Sequence, residues 1–145
     1  MSFHTWHNYG YGICVDDIPT PSSEQLSALL RLAPVFEQKV HEYLSECGIT
    51  DPSAEDYFAY DDDYGYGLAT FMREVIEEAE KITLMACDDF EGQIYLLFQP
   101  AYPWEMTDRE SAMTEKAIEQ IFRKYTAIIT DRKIGVDYHD PENGG

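Results

Sequence analysis

Basic residues are scarce in this chain: 10 lysines and arginines face 28 aspartates and glutamates over 145 residues, a formal net charge of -18 at pH 7. A surface with such a field repels nucleic acid and anionic membranes at ordinary salt, which excludes both as direct partners. Long apolar runs are also missing. No stretch approaches the roughly 18 residues of a membrane-spanning helix, and the opening Met1-Ser2-Phe3-His4 has neither the basic nor the apolar region of a signal peptide, so the expected address is cytoplasmic. Cysteine is sparse and lacks any Cys-x-x-Cys pair. Cys14, Cys47 and Cys87 are odd in number and widely spaced, as suits reduced thiols that behave as small buried hydrophobes. Catalytic signatures are absent as well: there is no Gly-x-Ser-x-Gly elbow, no phosphate loop and no cysteine in a recognised family context. No catalytic residue and no cofactor are therefore assigned.

The residues that are present describe a folded chain. Hydrophobic side chains make up 44% and aromatic ones 14%, enough to bury a core in one domain of this length. Residues 6–15, rich in aromatic and β-branched types, read as a first strand ended by Asp16-Asp17. Ser22 and Gln25 have capping-box spacing, and Leu26, Leu29 and Leu30 continue on one helical face. Pro34 opens the next helix, on which Phe36, Val40, Tyr43 and Leu44 recur, and Gly48 stands at its left-handed terminus. Asp51-Pro52 resembles an N-cap and first helical residue for a brief acidic turn through Tyr57. Over 68–79, Leu68, Phe71, Met72, Val75, Ile76 and Ala79 form an apolar stripe with glutamates on the remaining faces. The runs 82–87 and 93–98 read as an antiparallel hairpin around a glycine-bearing loop. Thr107 with Glu110 forms another capping box, and Ala117, Ile118, Ile121, Phe122 and Tyr125 mark a long last helix ending before Asp131. Residues 133–138 suit an edge strand, and 139–145 a flexible tail. Together these elements predict a single α+β domain over 1–145, with a hairpin-containing antiparallel sheet packed against three or four helices.

Charge supplies the main functional signal. Residues 46–91 hold fourteen acidic side chains and only two basic ones, Arg73 and Lys81. A loop, an acidic-faced helix and a hairpin would present these carboxylates at spacings of a few to about ten Å, comparable to phosphates along a nucleic-acid strand. Interleaved tyrosines would add the rigid anchors that charge lacks. The partner-binding residues expected on this basis are Asp56, Tyr60, Asp61, Asp62, Asp63, Tyr64, Tyr66, Glu74, Glu77 and Glu78. Their expected partner is the basic groove of another protein, such as a nucleic-acid-handling complex. A charge run also suits a merely solvated face, or adaptation to a salty cytoplasm.

Weaker signals leave alternatives open. His4-x-x-His7, with aspartates from elsewhere, suggests a cryptic metal site and an enzyme, although no metal is assigned. Asp61-Asp62-Asp63-Tyr64-Gly65 lacks the ligand spacing of a calcium loop. The turn Pro100-Ala101-Tyr102-Pro103-Trp104 and an edge strand would suit a homo-oligomer contact. Tyr9-Gly10-Tyr11-Gly12 and Tyr64-Gly65-Tyr66-Gly67 echo each other without repeating their flanks, as expected where glycines let elements pack closely or form a binding rim.

Trp6-His7-Asn8-Tyr9-Gly10-Tyr11-Gly12-Ile13-Cys14-Val15-Asp16-Asp17, Ala86-Cys87-Asp88-Asp89-Phe90 and the ending Glu142-Asn143-Gly144-Gly145 resemble segments of small acidic uncharacterised proteins of Firmicutes and their phages or mobile elements. The resemblance transfers no catalytic residue. Small acidic proteins of mobile elements include nucleic-acid mimics that inhibit host defence nucleases, so it implies an inhibitor acting by mimicry, by analogy alone.

Overall fold

A computed structural model describes residues 5–7, 10–59, 66–99 and 106–144. Among these, two strands open the chain, β1 (Thr5–His7) and β2 (Gly10–Cys14), followed by a 3-10 turn (Val15–Asp17). Four helices come next: α1 (Ser23–Leu30), α2 (Pro34–Glu46), α3 (Ala54–Phe58) and α4 (Leu68–Glu80). The hairpin β3 (Met85–Asp88) and β4 (Ile94–Phe98) precedes α5 (Asp108–Ser111) and α6 (Glu115–Ile129), and β5 (Asp137–His139) and β6 (Glu142–Gly144) follow. The result is the α+β domain that the pattern predicts, with an antiparallel four-stranded sheet ordered β3-β4-β2-β5.

Alternation along the strands sorts the side chains by face. Ile13, Leu96 and Phe98 point inward and join the main core, while Gly10, Gly12, Cys14, Tyr95, Leu97 and Cys87 share the opposite face by register. Helix α6 packs on β2, α4 packs on β3 and β4, and α1 and α2 close the layer over α6 and α4. An edge-to-face cluster centred on Phe71 ties α2 and α3 to α4, with Phe36, Tyr57 and Phe58 at ring-centroid distances of 5.4, 6.0 and 6.2 Å. At Gly12, close approach decides the residue: an added Cβ would lie 2.1 Å from the Leu96 carbonyl oxygen, so no larger side chain fits there without moving backbone.

Several expectations are corrected. The first strand is two, and β2 stops at Cys14 because Val15 turns into the 3-10 segment. Helix α3 is capped by Ser53, in a capping box with Asp56, and Asp51-Pro52 lies outside it. The Thr107 and Glu110 box opens only the four-residue α5, and the long helix starts afresh at a second cap, Thr114. Ala79 is exposed, and the next residue, Glu80, turns inward instead. Cys14 and Cys87 are buried as expected, but Cys47, just past the end of α2, is exposed. Residues 142–144, read as part of a flexible tail, pair with Thr5–His7 as strand β6. The two ladders share one register, 5–7 with 142–144 and 10–12 with 137–139, although β1 and β6 form a two-stranded sheet separate from the four-stranded one.

Candidate functional site

Helix α4 carries Glu74, Glu77, Glu78 and Glu80 against one cation of its own, Arg73. Their surroundings divide them into two kinds. Helix α2 begins with a defect in its cap: Ala33 supplies no side-chain acceptor and Pro34 no N–H, which leaves the amides of Val35 and Phe36 to be satisfied from elsewhere. Glu78 reaches across and accepts both, Val35 N–H at Oε2 and Phe36 N–H at Oε1, each 2.9 Å. Glu77 accepts the Leu84 amide at 2.8 Å as the chain enters β3. Burial pushes the Glu77 carboxyl above its ordinary value, against the opposing pull of that hydrogen bond and of Arg73.

Glu80 is different because its partners are cations and a phenol. It accepts from the Tyr125 hydroxyl at 2.6 Å and lies 3.2 Å from Lys124 Nζ and 2.9 Å from Arg109 Nη2. Burial works to raise its carboxyl, but these donors prevail and hold it below the ordinary range. Backbone amides order a carboxylate without cancelling its charge, whereas Arg109 and Lys124 cancel that of Glu80.

Glu74, Glu77 and Glu78 line a shallow groove of ≈ 450 Å³ together with Val35, Phe36 and Lys39. Val35 is 60% exposed and puts an apolar contact at the rim. Glu74 pairs loosely with Arg73 at 3.4 Å, and neither Glu77 nor Glu78 makes an ion pair among the described residues. Three of the ten expected partner-binding residues thus meet in one place. Asp56 lies apart on α3, where its carboxylate accepts the Ser53 amide at 2.8 Å. Tyr66 is half-buried against the core, its amide donating to Thr70 Oγ1 at 2.9 Å. Tyr60, Asp61, Asp62, Asp63 and Tyr64 lie outside the described residues.

Other acidic side chains also serve the fold. Asp89 accepts the Glu91 and Gln93 amides at 3.0 and 2.9 Å and so closes the hairpin turn. Asp16 accepts the Ile94 amide at 2.9 Å, fixing the start of β4. Glu110, only 8% exposed, accepts the amides of Thr83 and Thr107 at 2.9 and 3.2 Å. The Glu110 and Thr107 box follows from spacing, but the bonds from Asp16 to Ile94 and from Glu110 to Thr83 escape sequence reasoning because donor and acceptor lie 78 and 27 residues apart. The available signal was Ala33-Pro34, a helix start with no local acceptor.

Little else supports chemistry. Burial pushes the Cys87 thiol up to about 11 and raises that of Cys14, which disarms both as nucleophiles at neutral pH. Among the described residues no group of three or more His, Cys, Asp or Glu could hold a metal ion. Of the proposed histidine pair, His4 and the side chain of His7 lie outside the described part, as does the 100–104 turn considered for an oligomer contact. No described helix is long and apolar enough to cross a membrane. No protein-family model, curated protein or solved structure matches the chain.

Proposed function

We propose that this protein is a non-enzymatic acidic module that binds a basic groove of another protein through the α4 side, as an inhibitor that mimics nucleic acid toward a nucleic-acid-handling complex. The supporting observation is that Glu77 and Glu78 are held by neutral backbone amides rather than by cations. A carboxylate fixed this way presents its charge in one position and loses little rotamer entropy on binding, which is what phosphate mimicry asks of a side chain. Glu46 on α2, Asp51 in the loop after it and Glu55 on α3 are exposed, and Glu74 on α4 is half-exposed. Val35 at the groove edge supplies the apolar contact that charge attraction alone does not.

The test is competition: basic-groove nucleases and DNA-binding proteins are mixed with labelled duplex DNA, and this protein is titrated in at low and high salt. Displacement of DNA that weakens steeply with salt, and weakens further in a Glu55→Gln/Glu74→Gln double variant, supports the reading. Binding that is indifferent to salt and to these substitutions contradicts it.

A further inference from the structure

On the outer face of the sheet, the imidazole of His139 lies against the ring of Tyr95, with centroids 5.1 Å apart and planes inclined by 50°. His139 belongs to β5, an edge strand held by three register pairs to β2, and sits opposite Gly10. Its Nε2 is buried and has no hydrogen-bond partner among the described residues. A neutral imidazole nitrogen without a partner is a modest cost, but the same atom protonated would be a buried N–H cation with no acceptor, a far larger one. The cheapest relief is to expose the ring. Once the ring leaves its seat, edge strand β5 loses the contact with Tyr95 that ties it across the sheet to β4, and β6, which follows β5 in the chain and keeps the same register, loosens with it.

We propose that His139 is a proton-operated latch: neutral, it seats β5 and the β1–β6 pair on the sheet, and protonation at Nε2 releases them while the helical layer stays folded. Among the described residues, the groups facing the ring are Asp137 on β5, Asp17 on the turn after β2, the Gly12 backbone, and Tyr95 on β4, whose hydroxyl donates to Asp89 Oδ2 at 3.2 Å. Burial lowers the His139 pKa from its ordinary 6.5, while Asp137, Asp17 and a hydrogen bond with Gly12 pull the other way without overcoming it. With the folded value depressed, the unfolded strand takes the proton first. The seating is therefore intact above 6.5 and weakens as pH falls toward the folded value.

The test is amide hydrogen exchange, corrected for intrinsic rates, from pH 7.5 to 5, together with an NMR titration of the His139 ring. Exchange in 137–144, 5–7 and 10–12 is expected to rise by up to about tenfold per pH unit below 6.5, with α4 and α6 unchanged and the ring titrating below 6.5. The His139→Phe variant keeps the contact with Tyr95 but takes no proton, and should lose the pH dependence. A ring that titrates at or above 6.5, exchange that rises equally in α4 and α6, or an unchanged transition in His139→Phe would each overturn the latch. Should that variant not fold, the ring titration and exchange pattern of the unaltered protein decide the matter.

Discussion

Helices α4 and α6 pack on the same core yet handle charge in opposite ways. On α6 the charge is balanced locally: Lys116, Arg123 and Lys124 accompany Glu115 and Glu119, and Arg123 pairs with Glu119 one turn away at 2.7 Å. On α4 four glutamates meet one arginine, and the excess is carried outward to other elements. Glu78 caps α2, Glu77 holds the entry to β3, and Glu80 joins α4 to α6 through Tyr125 and Lys124. An acidic helix can therefore stabilise its own fold through backbone amides, with Glu77 and Glu78 making no ion pair among the described residues.

Substitutions should separate the two kinds of carboxylate. The largest effect is expected for Glu80→Ala, which strands the buried Tyr125 hydroxyl and two cations: a loss of about 2 kcal/mol in urea unfolding, where less than about 0.5 would show that the cluster is decorative. Glu78→Ala leaves two helix-start amides without an acceptor and should cost about 1 kcal/mol, as loss of an N-cap does, with α2 fraying first in hydrogen exchange. Lys124→Met removes an exposed cation from Glu80 and should change stability by about 0.5 kcal/mol or less.

The pH dependence sharpens the contrast because its sign differs at the two sites. Glu80 is depressed in the folded state, so its contribution is present above 4.5 and fades as pH falls through the folded value. Glu77 is raised, so its contribution is present below 4.5 and is lost as pH climbs through the folded value. Urea unfolding at pH 7 and pH 4 should accordingly show Glu80→Gln destabilising mainly at pH 7 and Glu77→Gln neutral or mildly stabilising there. The same sign for both would erase the distinction.

Where local rules govern, the fold was legible in the sequence. The Ser22 and Thr107 capping boxes, the stripes of α4 and α6 and the β3–β4 hairpin all follow from spacing and turn chemistry. The brief helix starts two residues later than Asp51-Pro52 suggests because Ser53 and Asp56 close a capping box there. The pairing of 142–144 with 5–7 was invisible because it joins the two ends of the chain, and 142–144 carries no alternation long enough to announce a strand. The acidic stretch was legible as charge but not as architecture. Nothing near Glu78 in sequence indicates that its partners are 42 and 43 residues away.

The claim that α4 orders the charge of Glu77 through a backbone amide while that of Glu80 is cancelled by cations is met most directly by a carbon-detected NMR titration of the two carboxyls. The account predicts that Glu80 inflects below 4.5 and Glu77 above it. Coincident titration of the two would contradict it.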